Sequence, residues 1–386
     1  MRKLNPARLV LPLALLCALA ASAAAQTAVD ARGALSTFPD SQAVLFVNAQ
    51  RIVNDVMPKV MSPAEYQKML DESKKVGFDV RGLQFAAVGV RFRDDAPAGE
   101  PPEFVLVVKG NFNADSLLML GKIGLAARNL PSRTETYGSK SIEIIDGEAL
   151  SKSINNDGAT GEGAGADGEA PKPKPFPYKE VAFTALDSNT LVAGVPAFVR
   201  AAVDASGGQG VLRPSLLSLA AQEPDAIWSL TAELPPNLAD MAHKYGVPAN
   251  AQFDQMVGWV KQLNISQGMT AADFTLGVAV TTDQPEHANA LSGLVRMGQT
   301  FAENMLRDAA SKSKGRDAAR ARHGLSMLAS AVNRTDGNTL FLRVSVPQQT
   351  IIDLVKEQRA KGEVKNVSKA TPKKPRRAAR RRARRR

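Results

Sequence analysis

Phe38-Pro39-Asp40-Ser41-Gln42-Ala43-Val44-Leu45-Phe46-Val47-Asn48 reads as a turn feeding a strand, and Pro224-Asp225-Ala226-Ile227-Trp228-Ser229-Leu230-Thr231-Ala232 reads the same way later in the chain. Proline fixes its own backbone, aspartate favours the turn, and the β-branched and aromatic residues that follow suit a pleated, half-buried surface. A second pair of segments supports the first. Asp187-Ser188-Asn189-Thr190-Leu191 and Asp336-Gly337-Asn338-Thr339-Leu340 each sit between strand-like runs, with a proline and a helical pattern beyond. Asp, Asn and small residues fit a tight turn that wants positive φ.

The two signatures stand 147 residues apart in the first half and 111 in the second, and leaving out Ser151–Tyr178 shortens the first gap to 119. Similar spacing of similar signatures predicts an internal duplication. In the first half, Ser62-Pro63-Ala64-Glu65 is a capping box that starts a helix running to Lys75. Strands are expected at Leu83–Arg93 and Glu103–Lys109, and Asn113 caps a helix to Arg128 whose Leu117, Leu120 and Ile123 share a stripe. In the second half, Phe253–Leu263 reads as helix and Ala272–Thr282 as strand. Asp283-Gln284-Pro285-Glu286 then caps a long helix in which Leu291, Leu294, Met297 or Gly298, Phe301 and Met305 recur at helical spacing, the pattern of a core-facing stripe. The order predicts an α+β fold of two repeated lobes, 26–220 and 221–360, each a mainly antiparallel sheet with helices packed on one face.

The segment Ser151–Tyr178 is poor in branched apolar residues and rich in Gly, Ala, Pro and acids, so it is expected to be a disordered loop. Strand-like Ser139–Ile145 and Val181–Ala185 flank it, which predicts an interrupted hairpin and not a domain boundary. At the start of the chain, Arg2, Lys3 and Arg8 precede an apolar run from Leu9 to Ala20 and then the small residues Ala21–Ala25. That order is a secretory signal peptide, 1–25, cleaved after Ala23 or, preferably, Ala25. Cys17, the one cysteine, lies inside the run, so the exported body would have neither disulfide nor thiolate chemistry and must hold together by burial.

Little in between carries chemistry. His243, His287 and His323 are too far apart for a local metal motif, so no metal or cofactor site is read. Gly163–Gly168 matches G-x-G-x-x-G by letter, but Glu162, Asp167 and Glu169 beside it would repel phosphate. Ser311-Lys312-Ser313-Lys314 contains S-x-x-K in a polar run with no K-T-G downstream. Carboxylates are plentiful, yet nothing singles out a pair.

The strong signal is the C-terminus. Residues 361–386 hold thirteen Lys or Arg against Glu363, so they carry +12 while the whole chain carries +11. The cations Lys369, Lys373, Lys374, Arg376, Arg377, Arg380, Arg381, Arg382, Arg384, Arg385 and Arg386 form the expected polyanion-binding tail. A block of like charge with no aromatic among the arginines is expected to stay disordered and not to stack on bases. After export the available polyanions are lipid head groups, lipopolysaccharide, wall polymers and extracellular nucleic acid.

With the signal segment, the Pro39-Asp40 strand and its Pro224-Asp225 partner in view, the chain resembles a group of uncharacterised exported bacterial proteins in which such a strand opens each of two related α+β halves. The resemblance spans Leu35 to Val355 and implies architecture and export, with no activity to carry over. The leading expectation is a non-catalytic scaffold or binding protein, periplasmic or extracellular, held to an anionic envelope surface by its tail. The alternatives are a periplasmic hydrolase with an inter-lobe carboxylate site, and a cytosolic nucleic-acid-binding protein should the N-terminus not be a signal. Mass measurement of the exported protein is expected to find Gln26 as its first residue, and an intact Met1 would favour the cytosolic alternative.

Overall fold

A computed structural model of the chain describes residues 30–75, 77–93, 100–158, 177–244, 248–353 and 355. Among them the strands are β1 (Ala43–Val47), β2 (Leu83–Arg91), β3 (Glu103–Gly110), β4 (Ser132–Tyr137), β5 (Lys140–Asp146), β6 (Glu180–Asp187), β7 (Thr190–Gly194), β8 (Ala226–Glu233), β9 (Val260–Met269), β10 (Asp273–Thr282), β11 (Val332–Asp336) and β12 (Thr339–Pro347). The helices are α1 (Ala31–Leu35), α2 (Pro63–Lys75), α3 (Ala114–Ala127), α4 (Gly147–Gly158), α5 (Pro196–Ser206), α6 (Pro214–Ala220), α7 (Leu238–Lys244), α8 (Ala251–Trp259), α9 (Pro285–Lys312) and α10 (Arg316–Ala329). A further helical stretch, Ala49–Arg51, Ile52–Val56 and Met57–Val60, follows β1 and is π-helical at Ile52–Val56.

All these strands belong to one sheet in the order β11-β12-β10-β9-β8-β1-β2-β3-β7-β6-β5-β4. Each neighbouring pair is antiparallel. The protein is α+β, as the sequence reads. From the centre outward the two halves follow one path, β1-β2-β3-β7-β6 and β8-β9-β10-β12-β11, and the first adds the β4–β5 hairpin outside.

The two D-x-N-T-L turns close corresponding hairpins and make corresponding bonds. Gly110, ending β3, donates its N–H to the Asn189 carbonyl at 3.1 Å, and Thr282, ending β10, donates to the Asn338 carbonyl at 2.8 Å. Only one turn uses positive φ, at Gly337 (54°). In the other, Asp187 replaces it with side-chain bonds, Oδ1 accepting from the Asn189 N–H at 2.9 Å and Oδ2 from the Thr190 hydroxyl at 3.0 Å.

The halves do not carry separate sheets, because β1 pairs with β8 from Ala43 opposite Ala232 to Val47 opposite Trp228. Arg51, just beyond β1, reinforces the seam: its guanidinium donates to the backbone carbonyls of Asp225 and Met269, each at 2.6 Å. Helices lie on both faces in the first half, because β2 and β3 are apolar on both sides. Phe85 and Val105 join Phe46, Ile142, Phe198 and Leu216 beneath α1, α5 and α6. Ala86 and Leu106 face the other way, with Val53, Leu70 and Phe78 over them. A strand buried on both faces reads as a continuous apolar run, which LQFAAVGV is.

Several local expectations hold. In the capping box, Ser62 N–H donates to Glu65 Oε2 at 2.9 Å and Glu65 N–H to Ser62 Oγ at 3.3 Å. β5 and β6 pair across the glycine-rich insertion, so it does interrupt a hairpin. Three others need correction. The first residues of that insertion continue α4, which reaches Gly158; residues 159–176 lie outside the described residues. The helix expected to Leu263 stops at Trp259, and Val260 opens β9, because pairing with β8 and β10 on either side outweighs the local helical spacing. The cap of α9 is Gln284 with no side-chain bond, Asp283 being paired with His287 instead.

Arg51→Ala would leave two carbonyls at the seam without their charged donor. The variant is expected to lose about 2–3 kcal/mol in urea denaturation, with Arg51→Lys intermediate because an ammonium on a single stem does not reproduce the guanidinium fork.

Candidate functional site: an apolar cleft under one helix

One row of side chains crosses all twelve strands on a single face of the sheet. It runs Asn333, Leu342, Val278, Ile265, Leu230, Leu45 in β1 and the second half, then Val88, Leu106, Ala193, Phe183, Glu143 and Thr134. The corresponding helices of the two halves, α3 and α9, both lie on this face. α9 is seated by Ser292, whose hydroxyl donates to Asn333 Oδ1 at 3.0 Å, and by Asn289, which accepts from Thr335 at 2.9 Å.

α3 starts cleanly. Asn113 Oδ1 accepts from the Ser116 N–H at 2.8 Å, and the Ala114 N–H donates to the Ser188 carbonyl at 2.8 Å, pinning the first turn to the β6–β7 hairpin. Beyond that turn the helix stands off the sheet, and Ala114 is its one buried residue. Beneath it lies a cleft of about 350 Å³. Leu106 and Val108 of β3, Phe183 of β6, and Leu191 and Ala193 of β7 form its floor, and Leu117, Leu118, Leu120 and Gly121 of α3 form its roof. No lining side chain carries a polar atom. A cleft of this kind suits hydrocarbon and offers nothing to a peptide group or a sugar, whose polar atoms would be buried unpaired.

At the far end of the cleft floor, Glu143 stands across from Phe183 and is itself buried. It accepts from Ser132 Oγ at 2.7 Å and Thr134 Oγ1 at 2.9 Å, and Lys122 Nζ of α3 lies 2.6 Å from Oε2. Burial pushes the Glu143 carboxyl up, but the bonds from Lys122, Ser132 and Thr134 outweigh it and leave the group below the ordinary glutamate value of 4.5. Glu143 therefore tethers the middle of a helix that otherwise touches the sheet through little more than its first turn.

The α9 stripe expected to be core is turned outward from Leu294 on, and α3 likewise exposes large apolar side chains. Met119 and Ile123 of α3, and Met297, Phe301 and Met305 of α9, are each more than half exposed, and Leu120, at the rim of the cleft, is half exposed as well. The cause is the identity of the sheet-facing residues. α9 seats on the sheet through Ala288 and Ser292, its buried positions, which leaves the larger apolar side chains on the opposite arc.

The remaining candidates are mostly spent on structure. His287 stacks on Trp259 with ring centroids 4.2 Å apart and bonds Asp283 at 2.6 Å, His243 lies 3.0 Å from Asp254, and His323 is exposed. Among the described residues the buried carboxylates are Asp79 and Glu143. The first is held below the usual carboxylate range by the Arg81 guanidinium, the second serves α3, and they share no partner. No group of three or more His, Cys, Asp or Glu among the described residues could hold a metal ion. The signal-like segment and the eleven tail cations lie outside the described residues, and no described helix is long and apolar enough to cross a membrane.

No family model matches the chain, and no curated protein matches it. Among solved structures it is similar to crystal forms III, IV and I of TP0453, at 7, 8 and 6 % identity and TM-scores of 0.38, 0.40 and 0.34. The matches cover 84, 85 and 84 % of this chain and 97, 97 and 96 % of that one. At those scores the likeness decides nothing about function.

A carboxylate whose value is lowered by folding contributes above its unfolded value and loses that contribution as the pH falls through its folded one. The α3 tether is therefore expected at full strength above pH 4.5 and to be lost as the pH falls on through the lower value that Glu143 has in the fold. Glu143→Gln should reproduce the loss at neutral pH, lowering hydrogen-exchange protection of the α3 amides by about 1–2 kcal/mol, modest because Lys122 is half open to water. Protection in β3 and β7 should not change; an equal loss throughout the sheet would contradict the assignment.

Proposed function

We propose that this chain is an exported, non-catalytic binding protein that rests on an anionic envelope surface, gripped by the Lys and Arg residues of 361–386 and laid down on the helices α3 and α9. The observation that carries the reading is the exposure of large apolar side chains on both corresponding helices, on the same face of one sheet. Scattered exposed apolar residues are ordinary, but two helical stripes on one face are the arrangement of a helix lying in a lipid interface.

The two parts do different physical work. Each tail cation near an anionic membrane contributes on the order of 1 kcal/mol, an attraction that salt screens. The apolar side chains add a term that salt does not screen, and among the polyanions open to an exported protein only membrane lipid and lipopolysaccharide provide hydrocarbon to receive them. Lipid head groups are thus favoured over wall polymer or nucleic acid as the surface.

Sedimentation with phosphatidylethanolamine/phosphatidylglycerol vesicles separates the terms. Deleting 361–386 is expected to abolish the salt-sensitive part of retention without moving the melting temperature. Met297→Ser with Phe301→Ser and Met305→Ser is expected to remove the part that survives high salt. Retention that is indifferent to the deletion would overturn the reading.

A further inference from the structure

We propose that the cleft beneath α3 is a binding site for a single unbranched acyl chain with an anionic head group, the chain lying between helix and sheet and the head meeting Lys122. The inference concerns the interior of the cleft, not the outward stripes, and does not depend on surface attachment.

Three observations commit the site to that occupant. The first is chemical uniformity: every lining side chain is apolar, so a ligand with polar groups along its length would bury them without partners. The second is size and shape. About 350 Å³ is near the small end for ligand pockets, and the space is a slot under one helix that crosses β3, β7 and β6. A space of that volume and hydrocarbon character holds one chain and leaves little room for a second beside it.

The third is the charge at the end of the slot. Lys122 follows Gly121 of the roof and reaches Glu143, the residue across from Phe183 of the floor. Glu143 has two hydroxyl donors besides Lys122, from Ser132 and Thr134. The Lys122 ammonium has three N–H donors and is half exposed, so an incoming carboxylate or phosphate at the end of the slot can share it with Glu143.

Gly121 supplies the test. A Cβ built there meets nothing within 4 Å, so a larger side chain can enter the slot without collision, and replacing glycine within a helix favours the helix. Fluorescence titration of the full chain with cis-parinaric acid, in the absence of vesicles, is expected to saturate near one equivalent. Gly121→Phe should keep or raise the melting temperature and weaken binding at least tenfold. Lys122→Met should weaken the fatty acid severalfold more than it weakens palmityl alcohol, which has no charge for Lys122 to meet. Displacement by palmitate but not by lysophosphatidylglycerol identifies a free fatty acid as the natural source, and the reverse identifies a phospholipid. Absence of saturable binding, or Gly121→Phe binding with unchanged affinity, would overturn the site. The Met297→Ser, Phe301→Ser and Met305→Ser variant, expected to lose salt-resistant vesicle retention, should leave this titration unchanged, so failure of one proposal is distinguishable from failure of the other.

Discussion

The pairing of β1 with β8 is the constraint on which everything else rests. Five residue pairs, Ala43–Ala232 to Val47–Trp228, turn two similar units into one sheet and fix their relative register. A slip of one residue would move every side chain of one half to the opposite face. The row from Asn333 to Thr134 would then break, and α9 would lose its seat on the same side as α3. Arg51 and the paired Asp225 make the seam polar at its rim while the strands supply the continuity. Two helices facing one way are thus a consequence of strand registry at the centre, far from either helix.

Much of the architecture was legible in the chain. The Pro-Asp openings, the D-x-N-T-L turns, the Ser62 capping box and the Asn113 cap all depend on local backbone chemistry, and local chemistry survives folding largely unaltered. What could not be read were features that depend on neighbours. β9 looked helical because Phe253, Val257, Val260 and, farther on, Leu263 sit at near-helical spacing, yet its place between β8 and β10 settles its conformation. The second helical face of the first half was visible in hindsight, since LQFAAVGV and EFVLVVK are apolar without alternation.

The candidate site was the least legible part, for an instructive reason. A stripe such as Leu294, Met297, Phe301 and Met305 ordinarily means core. Periodicity reports that a helix has two unlike sides; it does not say which side the fold uses. Here Ala288 and Ser292 on α9, and Ala114 on α3, take the contacts with the sheet, and small residues at such contacts carry no signal in a hydrophobic pattern. The Lys122–Glu143 tether joins residues from different elements and was invisible for the same reason. Paired catalytic carboxylates have no local spacing that a sequence could display, and the buried acids among the described residues, Asp79 and Glu143, are each engaged with a cation.

Among the described residues the sheet, however wide, has two margins, β4 at one end and β11 at the other. Ser-Arg-Thr-Glu-Thr-Tyr and Val-Asn-Arg-Thr-Asp are short and carry charge within the strand. Charged, abbreviated borders discourage another chain from adding itself by backbone hydrogen bonding, the route to fibrils and open-ended assembly. In a protein whose large exposed apolar side chains lie on one face of the sheet, margins of this kind leave the backbone of the described edges a poor template for a further strand.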